Sequence, residues 1–363
     1  MNTLSGLIDT GQHLWLEGLA RKYLTREFLA DNRQRSSIAG LSVTIAACDM
    51  VVQAGTAFDQ LIQEKLKEGL YGEQLAMELL ITDARHAAEL LLPIFEQSRG
   101  LYGWVCVPSS PLMTTDAANI AETVPLTDAR YRQPNLMVSV TGLPSRFPAI
   151  ESLIVSDISV NIGMLFSSLQ LRAVAESILQ AYERCVVTGR KPLSSCFLTI
   201  SVERLLEGFG HLFPQESAVA CVKAVLLEIG QTARSVFENR RWERAMEIGV
   251  QPPRLIFSFA DNIGLYRSNL SLVMETGGVC SIAAWRQDTE LSFLDPDPEV
   301  EDKAEISYPL QWSAIDNVGA DFDMVAFADR LQKDEADAVL RSWIRFLDTI
   351  ARKSAALATR WNV

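Results

Sequence analysis

The chain has 363 residues, of which 48% are apolar and 21% charged, a composition typical of a globular protein with a sizeable core. Its net charge of −12 argues against nucleic acid and anionic membrane as partners, because both would repel such a surface. No apolar run approaches the roughly 20 residues that span a bilayer, and the first residues do not read as a signal peptide, so we expect a cytoplasmic protein.

Strand-like apolar runs alternate with amphipathic helical patterns along the chain, which is the order that builds a parallel sheet. The predicted strands span residues 13–16, 40–45, 103–107, 136–140, 160–165, 197–202, 254–259 and 279–284. The predicted helices span residues 57–69, 73–97, 117–122, 148–154, 168–187, 216–247 (as two helices), 265–274 and 324–358. Eight such units predict one α/β domain over residues 1–363, a TIM-type (β/α)8 barrel with additional helices.

The segment 286–308 departs from this alternation. It carries eight acidic residues and two prolines, which predicts an exposed acidic loop before the C-terminal helices. Calcium binding is the alternative interpretation, although the segment lacks the glycine and the spacing of an EF-hand loop.

The cysteines and histidines do not predict a metal site. Six cysteines are scattered without a CxxC pair, and the three histidines lie far apart with no second ligand at helical spacing. Buried, reduced cysteines are the simplest interpretation. We therefore expect no metal and no cofactor.

Six segments, in order along the chain, resemble the transaldolase family. They are GQHLWLEGLAR at 11–21, the run 38–62, GWVCVPSSPLMTTD at 103–116, NLMVSVTGLPSRFPAIE at 135–151, the run 159–184 and the tail 318–353. The resemblance covers nearly the whole chain. It implies a transaldolase-like barrel with an active site inside it.

The resemblance fails at the residue that carries the family's chemistry. The family's Schiff-base lysine aligns with Ser139, and a hydroxyl group cannot form an imine. The family's strand-one aspartate aligns with Glu17, which remains a carboxylate. The other active-site positions align with Thr44, Pro108, Gly163, Ile200, Ser201 and the neighbourhood of Ile263, with an acid kept at Glu203. The resemblance therefore implies that the aldolase reaction and the cations for a sugar phosphate have been lost.

Function in such a barrel lies where the C-terminal ends of the strands meet the following loops. At this mouth the sequence places three candidate catalytic acids, Glu17, Asp261 and Glu203. The candidate substrate-binding residues are Trp15, Thr44, Met113, Ser139, Thr141, Gly163, Ser201, Phe259 and Trp285. The small residues enlarge the predicted cavity and the aromatic ones make it apolar, which favours an uncharged apolar ligand.

Two hypotheses of different classes follow. In the first, the protein is a repurposed biosynthetic enzyme acting on an apolar, secondary-metabolite-like substrate. One carboxylate would drive a cyclisation, isomerisation or dehydration, as in a cyclase or lyase. In the second, it is a catalytically inactive scaffold that binds a partner or stabilises an enzyme complex. Residual aldolase-like activity also stays open, and a homodimer or a biosynthetic enzyme is the candidate partner. Structural roles also stay open for single residues: Glu17 as a loop anchor, Glu203 as a partner of a surface arginine, and Ser139 and Thr141 as fillers of vacated space.

Overall fold

A computed structural model describes residues 14–18, 38–112, 133–259, 279–283 and 322–359. Eight parallel strands in sequence order form a closed barrel in which the first strand pairs with the eighth. The strands are β1 (Leu14–Glu17), β2 (Ile38–Ser42), β3 (Trp104–Pro108), β4 (Leu136–Thr141), β5 (Ser159–Leu165), β6 (Cys196–Ser201), β7 (Arg254–Ser258) and β8 (Val279–Ala283). The predicted TIM-type barrel is confirmed, and each strand overlaps its predicted run.

The helices of the described residues surround the barrel. They are α1 (Ile45–Ala54), α2 (Asp59–Lys67), α3 (Gly72–Gln97), α4 (Phe147–Val155), α5 (Ser168–Val187), α6 (Val202–Gly210), α7 (Gln215–Phe237), α8 (Arg240–Glu247) and α9 (Met324–Thr359). None of these helices is long and apolar enough to cross a membrane. The predicted helices 117–122 and 265–274 and the acidic loop 286–308 lie outside the described residues.

Two helices that the sequence analysis missed, α1 and α6, follow directly on β2 and β6. The predicted second strand, 40–45, ran three positions too far because Thr44 is the N-cap of α1 rather than a strand residue. Its side-chain oxygen accepts a hydrogen bond from the backbone N–H of Ala47 at 3.2 Å. The strand therefore ends three residues earlier than the apolar, β-branched composition of this run predicts.

The interior of the barrel is divided into an apolar layer and a polar layer. Alternation along the strands puts Trp15 and Glu17 on the inner side of β1 and Leu16 in the outer core between strands and helices. The rings of Trp15 and Trp104 pack on Phe197 at centroid distances of 5.5 and 5.8 Å. Together with Met137 and Ile256 these aromatic residues form the apolar layer, below a layer of polar side chains that includes Glu17.

Gly40 makes the close packing of Trp15 possible. A Cβ atom at Gly40 would lie 2.4–2.7 Å from the atoms of the Trp15 six-membered ring. The indole cannot move aside easily, because its Nε1 donates a hydrogen bond to Ser42 Oγ at 2.8 Å and its ring packs on Phe197. Only glycine fits at this position without displacing the floor of the site.

The C-terminal helix α9 packs against α1, α2, α3 and α6 and reaches the strand β5. It approaches α6 closely at Gly208, where a Cβ atom would lie 2.7 Å from Leu331 and 2.9 Å from Phe327. The next residue of α9 after Leu331 is Gln332, which is 3% exposed. Its Nε2 donates to the backbone oxygens of Gly142 at 3.1 Å and Met164 at 2.9 Å. These bonds fix α9 to the C-terminal ends of β4 and β5.

We expect Gly40→Ala to lower the free energy of unfolding by about 1–3 kcal/mol, because the added methyl group overpacks the Trp15 ring. Urea denaturation monitored by tryptophan fluorescence measures the change. Gly163→Ala is the matched control, since a Cβ atom there has no described neighbour within 4 Å. The packing explanation is wrong if both substitutions shift the unfolding midpoint equally.

Candidate functional site

A cavity of about 500 Å³ opens where the C-terminal ends of the strands converge. Each of the strands β1 to β7 contributes an inward side chain to its wall, and α9 closes one side. The strand residues that line it are Glu17, Ser42, Cys106, Pro108, Ser139, Val140, Thr141, Asn161, Gly163, Met164, Thr199, Ser201 and Ser258. This is the end of the barrel at which the sequence analysis expected the site.

Six of the predicted site residues are brought together here. Glu17, Thr44, Ser139, Thr141, Gly163 and Ser201 all line the cavity. Their functional roles remain predictions. Three further candidates, Met113, Asp261 and Trp285, lie outside the described residues.

Three predicted site residues lie away from the described cavity wall. Trp15 lies in the apolar layer below the cavity and is 1% exposed. It precedes Glu17 by two residues on the same face of β1. Phe259 follows the inward-facing Ser258, so alternation turns it outward into the core between strands and helices. Glu203 lies in the first turn of α6 and does not line the cavity; its neighbour Arg204 does.

Ser139 faces the cavity at the middle of β4, where its strand neighbours are Pro108 and Asn161. It also contacts the thiol of Cys106. Burial raises the pKa of Cys106 to about 12, and the negative charge of Glu17 acts in the same direction. The thiol is therefore neutral at physiological pH. Since no described lining residue is a lysine, this part of the wall offers no amine and no thiolate nucleophile.

The wall instead presents hydroxyl and amide groups. Thr199 Oγ1 donates to Asn161 Oδ1 at 2.8 Å, which fixes both side chains on adjacent strands. Thr141 Oγ1 is buried and has no hydrogen-bond partner among the described residues. A buried hydroxyl without a partner is costly, so this one favours a polar group bound beside it.

Glu335 on α9 is a site residue that the sequence analysis missed. Ser201 Oγ donates to its two carboxyl oxygens at 3.2 and 3.1 Å. Burial raises the pKa of Glu335 to about 7 against the opposing effects of Arg204 and the Ser201 hydrogen bond, and the charge of Glu17 raises it further. A signal was present in the sequence: Gln332 and Glu335 interrupt an apolar helix face at helical spacing.

Two arginines also line the cavity, Arg146 and Arg204, whereas the sequence analysis named no cation there. Arg204 forms an ion pair with Glu207 at 2.7 Å, and Arg146 donates from Nη2 to the backbone oxygen of Pro111 at 3.0 Å. The expectation that the cations for a sugar phosphate are lost rested on Ser201 and on the neighbourhood of Ile263, which lies outside the described residues. The turn from β6 into α6 brings Arg204, three residues after Ser201, to the same wall.

No group of three or more potential metal ligands occurs among the described residues.

A parallel (β/α)8 barrel with a polar cavity at its C-terminal end defines a TIM-barrel protein with a small-molecule type of site. The sequence profile of the transaldolase/fructose-6-phosphate aldolase family matches residues 44–246, more than half of the chain. The protein belongs to this family.

Similar curated proteins extend the relation over nearly the full length. A transaldolase of Thermobifida fusca is 23% identical over 97% of this chain and 98% of its own length. A transaldolase of Trichodesmium erythraeum is 21% identical over 97% of both chains. Transaldolase 2 of Streptomyces coelicolor is 23% identical over 98% of both chains. Identity this low leaves the reaction of the present protein open.

The raised pKa of Glu335 predicts a pH dependence of stability. Between about pH 4.5 and pH 7 the folded protein keeps the Glu335 proton that the unfolded chain has released, so the free energy of unfolding falls as pH rises. The slope is at most about 1.4 kcal/mol per pH unit. Urea denaturation between pH 5 and pH 7 should show this slope reduced in Glu335→Gln. Asp334→Asn, at an exposed neighbour on α9, should keep this slope. An unchanged slope in Glu335→Gln would contradict the raised pKa of this half-buried acid.

Proposed function

We propose that the protein is an enzyme of the transaldolase/fructose-6-phosphate aldolase family that works without a Schiff base. Its reaction is an acid–base conversion of a small hydroxylated carbonyl compound bound in the barrel mouth. The observation that carries the proposal is the placement of Ser139, which lines the same cavity as the carboxylate Glu17. The site keeps a group that moves protons and has no amine at the position where the covalent intermediate would form.

The substrate class follows from the polar wall. Ser42, Thr141, Thr199 and Ser258 present hydroxyls to the cavity, and Asn161 presents an amide. Such groups recognise hydroxyl and carbonyl oxygens by hydrogen bonds. They disfavour a substrate that lacks these oxygens, because the polar groups of the wall would then be left without partners. The family to which the chain belongs is named for fructose-6-phosphate aldolase as well as transaldolase, which supports the same substrate class. Arg146 and Arg204 at the wall make one anionic group on the substrate acceptable.

The apolar substrate expected from the sequence has less support. Of the three large apolar residues on which it rested, Phe259 is 0% exposed in the outer core, and Met113 and Trp285 lie outside the described residues. The described wall still includes Val339 and Leu340 of α9, which suit the carbon face of a substrate. Proton transfer on a polar compound therefore has more support than cyclase or lyase chemistry on an apolar one.

The scaffold hypothesis differs from the enzyme hypothesis in what it predicts for the cavity at the barrel mouth. It predicts a site plugged by side chains, whereas the described residues leave a cavity of about 500 Å³, a volume in the range of ligand pockets. The cavity favours the enzyme over the scaffold.

Borohydride trapping tests the loss of covalent chemistry. We expect the protein incubated with fructose 6-phosphate and sodium borohydride to show no mass increase, because Ser139 has no amine. Ser139→Lys should restore a reducible imine on β4 and gain the mass of the reduced ketose. Intact-mass spectrometry followed by peptide mapping measures both.

Thr141→Lys is the matched control, since it places an amine on the same strand two residues nearer the mouth. Trapping by Ser139→Lys alone would support a retained aldolase frame around position 139. A wild-type adduct on any lysine, for example Lys191, would contradict the proposal.

A further inference from the structure

We infer that Glu335 on the C-terminal helix is a catalytic acid of the barrel mouth. It would donate a proton to the carbonyl oxygen of the substrate while Glu17 removes one from the adjacent carbon. The inference rests on the proposed function and assigns it a residue from outside the barrel. It also assigns the reaction class, which is isomerisation or proton exchange next to a carbonyl.

The geometry places Glu335 at the cavity through two contacts. Gln332, three residues earlier and on the same helix face, ties α9 to the ends of β4 and β5 by its two hydrogen bonds to backbone oxygens. Ser201 at the end of β6 then donates to both Glu335 oxygens. The carboxyl group is thus held between α9 and the sixth strand, in the wall that Glu17 also lines.

The charged groups around Glu335 come from two elements, β1 and α6. Glu17 on β1 and Glu207 on α6 are negative and favour the protonated form of Glu335. Arg204 on α6 favours the carboxylate, but it is already paired with Glu207. Burial is the largest effect and favours the neutral acid. An acid that holds its proton near neutral pH is suited to donate it.

The pair balances a complete proton transfer without a cofactor. Glu17 as carboxylate takes a proton from the carbon next to the carbonyl, and the C–H electron pair forms a C=C bond. The carbonyl π pair moves to oxygen, which takes the proton of Glu335, so an enediol forms and Glu335 becomes a carboxylate. Glu17 then returns its proton to the former carbonyl carbon. The hydroxyl on the other enediol carbon gives its proton to Glu335 and becomes the new carbonyl, which gives the isomer. Exchange of the Glu17 proton with water gives isotope exchange.

The ionisation of Glu335 is tested directly by ¹³C NMR of glutamate-labelled protein. The Glu335 carboxyl signal, assigned by its loss in Glu335→Gln, should titrate with a midpoint near the pKa of about 7. Asp334→Asn, at an exposed position of the same helix, should leave that midpoint unchanged. A midpoint near 4.5 would overturn the inference whatever the enzyme does, because Glu335 would then be ionised at neutral pH.

Its chemical role is tested by C–H exchange of dihydroxyacetone and fructose 6-phosphate in D₂O, followed by ¹H NMR. We expect exchange with the wild-type protein that declines above neutral pH. Glu335→Gln should slow it by about 10²-fold or more and remove that decline, since the amide keeps the shape but cannot give up a proton in this way. Asp334→Asn should match the wild type in rate and pH profile.

The failures of the two ideas are distinguishable. If Glu17→Gln stops exchange while Glu335→Gln keeps the rate and the pH profile, the proposed function stands and the role of Glu335 is overturned. If the wild-type protein exchanges neither compound faster than buffer does, the proposed function fails and the catalytic role of Glu335 fails with it.

Discussion

The double hydrogen bond of Gln332 is the contact on which the site depends. One buried amide nitrogen satisfies the backbone oxygens of Gly142 and Met164, at the ends of two neighbouring strands. Each bond contributes only about 0.5–1.5 kcal/mol net, but the penalty for burying the amide without partners, about 1–3 kcal/mol, makes other positions of the helix unfavourable. The helix is therefore set in register with the barrel, and the residues one turn along are aimed at the mouth.

Along the barrel axis, an apolar layer that packs the interior lies below a polar layer that lines the cavity. The aromatic layer of Trp15, Trp104 and Phe197 fills the barrel below the cavity and excludes water there. Above it, hydroxyls and carboxyl groups lie in a confined space where desolvation changes their acidity, as the raised pKa of Cys106 and Glu335 illustrates. Desolvation raises the pKa of both groups, so it keeps the Cys106 thiol neutral and favours the protonated form of the Glu335 carboxylic acid.

Membership of a family and the reaction performed are separable properties of this protein. The frame of a transaldolase/fructose-6-phosphate aldolase barrel is present, yet the wall at position 139 is a serine and a carboxyl group enters from α9. Folds carry many chemistries because the barrel is stabilised by its layers, while the reaction depends on a few side chains at strand ends. In this chain Ser139 and Glu335, the latter from the C-terminal helix α9, line the same cavity.

The sequence by itself determined the barrel and the position of its mouth. Apolar runs of strand length separated by helical patterns predicted all eight strands of a parallel barrel. The inward position of Ser139 was predicted from the resemblance to the transaldolase family, and it lines the cavity. Alternation within a strand was equally available, and it would have placed Phe259 outside.

Only the tertiary structure decided which distant residues share the site. Ser201 and Glu335 are separated by 134 positions, and no local pattern relates them. Their contact depends on where α9 crosses the barrel, which is set by packing on Gly208 and by the Gln332 hydrogen bonds. Likewise, the sharp turn from β6 into α6 decides that Arg204 lines the wall while Glu203 does not. Periodicity reports on neighbours along the chain, whereas desolvation and hydrogen-bond partners depend on neighbours in space.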